Sequence, residues 1–289
     1  MFKLNDDFNK NIFIEVLNVP SEIYQKLKYQ LSPFIVEGDG FPNYFIYVER
    51  SSKNVINLVN NVLYIKYFDE VFLLKTLRKA IRDGLYQNFL DDGYIKMHCS
   101  AVQKDGNVFV FIGKENTGKT STALGLCKYC NYSLINGDLS LIKDKNLLGW
   151  STAIGTRYFT SKLLGVAPIE ELDFNNITWL WQKDYIKIGY NFTCQGIISK
   201  LIVVNYDFNC DRIKFEDISE NEKRNIICSN IHYDEINKDH YWNVNDIDLD
   251  ECKKKILQKN GIIDVDAFRF VSDGLSEKNI KLLSKKLER

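Results

Sequence analysis

Apolar and polar positions change their period several times along the chain, and the changes mark out its elements. Tyr44–Val48 and Val62–Tyr67 are short runs of β-branched and aromatic residues and predict strands. From Phe68 to Leu90 the apolar residues fall at Val71, Leu73, Leu74, Leu77, Ala80, Ile81 and Leu85. That is helical spacing, with Asp69 and Glu70 near the start, where the helix dipole favours acids. Ile95–Val102 predicts a strand, Gln103–Asn107 a turn around Asp105-Gly106, and Val108–Ile112 a second strand. A glycine-bearing loop then leads into a helix over 119–130. Short strands are expected at Ser133–Ile135 and Leu139–Ile142 and a buried one at Lys200–Asn205. Leu249–Gln258 and Ser276–Arg289 predict further helices. The mixture reads as α/β, with a smaller N-terminal α+β region over 1–90 and a larger domain over 91–289.

Composition narrows the class. At 289 residues with 45% hydrophobic residues the chain can bury a full core without a disulfide or metal staple. Lys+Arg and Asp+Glu are 38 each, and this zero balance argues against a coat for nucleic acid or an anionic membrane. Neither partner is expected. The start, Met1 to Lys10, has no apolar run behind a basic segment, and no stretch approaches the roughly 18–20 apolar residues of a membrane helix. The seven cysteines are scattered and odd in number, as for reduced thiols, so a cytoplasmic protein is expected. Cys127 and Cys130 have no second such pair and no nearby His, and read as core; Trp179-Leu180-Trp181 is also compatible with core.

The sharpest chemical signal is Gly113-Lys114-Glu115-Asn116-Thr117-Gly118-Lys119-Thr120, which fits G-x-x-x-x-G-K-[ST] between an apolar strand and a helix. Gly113 and Gly118 let the backbone bend so that successive N–H groups face phosphate oxygens. The helix beginning at Lys119-Thr120-Ser121 adds its positive end. Lys119 supplies a mobile charge for the outer phosphates and the Thr120 hydroxyl a ligand for Mg²⁺. Asn116 and Thr117 contribute backbone N–H groups, and Glu115 is expected to face solvent or a Lys. An N-K-x-D base reader of GTPases is not matched, since Asn237-Lys238-Asp239-His240 ends in His. His232 and His240 read as surface residues. Asp207, closing the apolar run Leu201–Tyr206, is an alternative metal-binding acid of a different phosphate-loop lineage.

The surroundings of this loop resemble the HPr serine kinase/phosphorylase family, whose fold is shared with phosphoenolpyruvate carboxykinase. The resemblance rests on Met97-His98-Cys99-Ser100-Ala101-Val102, on the helix start Thr120-Ser121-Thr122-Ala123-Leu124-Gly125-Leu126, on Leu134-Ile135-Asn136-Gly137-Asp138 and on Gly149–Arg157. It covers about residues 93–206. It implies a P-loop kinase domain of HPr-kinase/phosphoenolpyruvate-carboxykinase type. It further implies that Asp138 holds Mg²⁺ or accepts a hydroxyl proton, that His98 contacts a phosphate oxygen or orients the acid, and that Arg157 steadies charge on the transferred group. The bland alternatives are a turn-forming Asp138, a core His98 and a surface Arg157. Family members carry two adjacent acids where this chain has Gly137 before Asp138.

Together these readings predict an ATP-dependent kinase that uses Mg²⁺ to phosphorylate a serine hydroxyl of a small protein or peptide, with residues 1–90 available to recognise the acceptor. A homo-oligomer is compatible with this. The alternatives are a non-catalytic nucleotide-binding regulatory module and a small-molecule kinase.

Overall fold

The computed structural model describes residues 1–166, 176–207, 209–210, 212–231, 242 and 261–289. The expected helix over 249–258, His232, His240 and the string 237–240 lie outside the described residues. Described residues fall into two compact units, 1–94 with 242, and 95–231 with 261–289. The protein is α/β, and among the described residues no helix is long and apolar enough to cross a membrane.

The first unit contains β1 (Phe2–Leu4), β2 (Phe13–Leu17), α1 (Ser21–Leu31), β3 (Ile35–Glu37), β4 (Tyr44–Arg50), β5 (Val55–Val59), β6 (Val62–Tyr67) and α2 (Glu70–Asp91). The sheet order is β3-β1-β2-β4-β6-β5. In β6 burial alternates residue by residue, as in a strand with one face on a core. The helix expected from Phe68 starts at Glu70 because Asp69 caps it, its carboxylate accepting from the Phe72 N–H at 2.7 Å. The division between units comes at Tyr94, since α2 runs on to Asp91. Trp242 belongs to this first unit: its indole Nε1 donates to the Ala80 carbonyl at 2.7 Å. Gly84 leaves the space, as a Cβ there would lie 2.8 Å from that nitrogen.

The second unit comprises β7 (Ile95–His98), β8 (Ser100–Lys104), β9 (Asn107–Ile112), α3 (Lys119–Cys130), β10 (Ser133–Asn136), β11 (Leu139–Lys143) and β12 (Asn146–Gly149). It continues with β13 (Ile154–Thr156), α4 (Tyr158–Leu164), β14 (Thr178–Leu180), α5 (Gln182–Lys187), β15 (Asn191–Phe192) and β16 (Gln195–Tyr206). β17 (Lys214–Asp217), α6 (Glu220–Ser229), β18 (Asp266–Ser272) and α7 (Glu277–Leu287) complete it. The sheet runs β15-β10-β8-β9-β16-β12-β11-β7, with β18 on the second half of β16 and β17 beyond it. β9, β16 and β18 are parallel neighbours; β9 and the second half of β16 read as continuous apolar runs, as buried parallel strands do, while Arg269 interrupts β18. α3 and α7 cover them, burying Phe109, Phe111, Leu124, Ile202, Phe270, Ile280 and Leu283.

The strand expected over Ile95–Val102 is two strands. β7 pairs with β11, β8 pairs with β9 and β10, and the chain changes partners at Cys99. β10 and β11 part at Gly137–Asp138 in the same way. His98 faces Leu139 and Ala101 faces Asn136 in register, so Cys99 and Ser100 lie opposite Gly137 and Asp138. This double break positions the site. The hairpin between β8 and β9 turns on Asp105 and Gly106, both at positive φ (51° and 80°), as a two-residue loop requires.

Candidate active site

β9 delivers the chain to the loop and α3 takes it away, starting at Lys119 as the pattern predicts. Gly113 has φ 143° and Gly118 φ 95°, regions that favour glycine. A Cβ on Gly118 would also lie 2.4 Å from the Tyr206 ring, and one on Gly113 3.0 Å from the Val204 carbonyl. The two glycines therefore serve both the bend and the close approach of β16. The Tyr206 hydroxyl shares a 3.0 Å hydrogen bond with Thr122, and burial raises its pKa to about 12. Asn116, at φ 62°, turns the loop tip, and Glu115 there is exposed as expected.

Lys119 is buried, and its ammonium donates to the carbonyls of Gly113 (3.0 Å) and Lys114 (2.9 Å). Burial lowers its pKa, while Cys99, Asp138 and Glu115 act in the opposite direction. The Thr120 hydroxyl donates to the Gly137 carbonyl at 2.7 Å, and Ser100 Oγ donates to the same carbonyl at 2.8 Å. With its proton committed, Thr120 Oγ1 keeps lone pairs for a further partner. Asp138 follows directly. Its carbonyl accepts from the Cys99 N–H at 2.9 Å, and its Oδ1 lies 3.0 Å from His98 Nε2. Both side chains are partly exposed, 31% for His98 and 39% for Asp138, so the pair is open to a ligand rather than enclosed in a core. Cys99 is fully buried beneath them, and burial pushes its thiol up to about 12.

Arg157 is exposed at the start of α4 and donates to the Asn116 side chain at 2.7 Å, a link to the loop tip. Ser121 and Thr160 share a hydrogen bond at 3.0 Å, which links α3 to α4. Thr117 Oγ1 donates to the Lys114 carbonyl at 2.9 Å. Lys119, Thr120, Asp138 and His98 are thus brought together, with Arg157 tied to the loop tip. Asp207 instead accepts from the Asn209 N–H at 3.0 Å in the turn after β16.

Position 137 has little room for a side chain. A Cβ on Gly137 would lie 2.5 Å from Ile154 Cγ2, and Ile154 is fully buried. Cys127 lies in the buried core cluster, its thiol raised by burial, as its reading as core implies. Trp179 departs from that reading. It is 58% exposed, lying across Gly155 of the β13–β14 ribbon.

Three neighbours of the site went unnoticed in the sequence. Ile154, within Gly149–Arg157, and Tyr206, closing the run from Leu201, carry no signal of their own, and their positions follow from strand pairing. Asn230, buried at the end of α6, has its side-chain Oδ1 3.4 Å from the Gly113 N–H and its carbonyl 2.7 Å from the His98 N–H. Its only local signal is a polar residue closing an amphipathic helix. A scan against models of known protein families and a search among curated proteins each returned no match.

Proposed function

We propose that the second unit is a P-loop kinase domain of HPr-kinase type that transfers the γ-phosphoryl group of ATP to a hydroxyl of a small protein or peptide. The observation that carries this reading is the junction at Gly137–Asp138. There the Thr120 hydroxyl bonds the carbonyl of Gly137, the residue just before Asp138, and the Lys119 ammonium feels the Asp138 carboxylate. A glycine loop opening a helix suits phosphate, and a carboxylate paired with an imidazole suits proton transfer.

The donor set fits Mg²⁺, a hard cation that takes one or two protein oxygens and fills its remaining positions from phosphates and water. Thr120 and Asp138 would hold it, and its charge would neutralise the outer phosphates. Lys119 exchanges the carbonyls of Gly113 and Lys114 for phosphate oxygens. The acceptor oxygen forms its bond to the γ-phosphorus as the bond to the ADP oxygen breaks. Asp138 takes the hydroxyl proton, and His98 holds that carboxylate in place. Arg157, anchored through Asn116, offers a planar guanidinium to the charge spread over the transferred group. A cytoplasmic location and recognition of the acceptor by the first unit belong to the same proposal.

A second reading, a nucleotide-binding module without transfer, is favoured by the single carboxylate: Ile154 fills the space that a second acid would need. Calorimetry with Mg·ATP and slow loss of γ-phosphate to water, measured on the same samples, decide between them. Under the kinase reading the wild type binds and turns over, while Asp138→Asn binds but turns over about 10²–10⁴-fold more slowly. Binding without turnover, persisting when small hydroxyl-bearing peptides are added, would establish the module instead.

A further inference from the structure

The hydrogen bonds around the site close into a ring. Lys119 Nζ donates to the Gly113 carbonyl, and the Gly113 N–H faces Asn230 Oδ1 at 3.4 Å. The His98 N–H donates to the Asn230 carbonyl at 2.7 Å. His98 Nε2 meets Asp138, and the carbonyl just before Asp138, that of Gly137, accepts from Thr120 beside Lys119. Every member except Asn230 lies within the motif-bearing stretch 98–138. Asn230 comes from the end of α6, and through it the loop and the strand of His98 are held by one residue.

We infer that Asn230 is a positioning residue for phosphoryl transfer, fixing the phosphate side of the site relative to the His98–Asp138 side. The inference rests on the kinase reading. Asn230 is itself firmly held. Its Nδ2 donates to the Ile226 carbonyl at 2.8 Å, its backbone N–H reaches the carbonyls of Ile226 and Ile227, and the next residue, Ile231, forms a bridge with Met97. With Nδ2 committed to the end of α6, the amide has one orientation, and its oxygen is turned to Gly113. The residue is buried, so this geometry is not shared with solvent. In-line transfer is sensitive to small displacements: a shift of about 1 Å between reacting groups costs on the order of 10²-fold. Removing the side chain frees one end of the link, and the carbonyl bond to His98 stays.

The test compares wild type, Asn230→Ala and Asn230→Asp in the full chain, by amide hydrogen exchange without ligand and by kinetics and calorimetry with Mg·ATP. In Asn230→Ala the Gly113 amide should exchange at least about tenfold faster while Val110 in the preceding strand β9 is unchanged. The kcat for γ-phosphate release should fall about 10–100-fold with Kd for Mg·ATP within about threefold. Asn230→Asp keeps an oxygen for the Gly113 N–H, loses the Nδ2 bond to the Ile226 carbonyl and adds a negative charge on the phosphate side of the site. It should recover kcat at saturating nucleotide and raise KM, a split that a merely structural role would not give. A wild type that turns over and an Asn230→Ala variant that matches it in kcat and in Gly113 exchange would overturn the inference alone. A wild type that binds no nucleotide would overturn the kinase reading and this role with it.

Discussion

Between Ile112 and Thr120 one continuous stretch makes the loop side of the site, whereas its acid side is assembled from β7, the β10–β11 junction and the end of α6. On the loop side, backbone conformation and two glycines set the geometry. Position within a strand–loop–helix unit is enough to place Lys119 and Thr120. On the acid side no residue is placed by its own neighbours. Asp138 stands where it does because two pairs of strands change partners opposite each other, and His98 is held by a residue far along the chain. Apart from the Asn230 link at Gly113, local geometry survives substitution of distant residues; assembled geometry depends on them. The loop side should therefore fail through loss of a binding group, and the acid side through packing.

Lys119→Met makes the largest difference. It keeps much of the buried volume but removes the charge. With charge-assisted hydrogen bonds worth about 1.5–3 kcal/mol each, affinity for Mg·ATP should drop on the order of 100-fold or more. The thermal midpoint should change little, because relief of a buried charge is opposed by loss of the bonds to the Gly113 and Lys114 carbonyls. A variant that binds Mg·ATP as the wild type does would separate the loop from phosphate altogether. Asp138→Asn completes the pair, slowing turnover with binding retained.

Packing on the acid side is tested by Gly137→Ala, with a Cβ 2.5 Å from Ile154 Cγ2. Overpacking of this kind costs about 1–3 kcal/mol, read as a lower urea midpoint. Ile154→Ala costs about 2–5 kcal/mol by itself through the cavity it leaves. The double variant should be more stable than the two costs added, by about 1 kcal/mol or more, because each change relieves the other. Additive costs would mean that Ile154 is not what crowds a side chain at position 137.

The same contrast explains what could be read from the sequence. The strand β9, the loop, α3 and the β8–β9 turn followed from period, glycine spacing and Asp-Gly, since each of these signals is local. The break at Cys99 was missed because both halves of Ile95–Val102 are apolar, and a change of strand partner leaves no mark on the period. Asp138 and His98 were singled out through a resemblance, while their 3.0 Å contact depends on pairing between strands distant in sequence. Asn230 carried no motif, and the role of Ile154 is visible only once Gly137 is seen against it. Trp179 misled because exposed and buried tryptophans look alike in a short apolar run.

The smallest effect is expected where a strand distant in sequence backs the loop side. Tyr206 lies over Gly118 and bonds Thr122, and burial raises its pKa from 10.0 to about 12. Between those values the folded protein keeps a proton that the unfolded chain has released. The native state then binds more protons than the unfolded one, and stability falls as pH rises through that window. Tyr206→Phe removes this contribution. It should lose about 0.5–1.5 kcal/mol near neutral pH for the hydrogen bond with Thr122, and its urea midpoint should fall less steeply than the wild type's above pH 10. Because the ring stays against Gly118, Mg·ATP affinity should change less than about threefold. Equal pH slopes for the two proteins would show that the Tyr206 proton is not held by the fold. A large loss of affinity would show that the loop depends on a distant strand as much as the acid side does, and the contrast between the two sides would not stand.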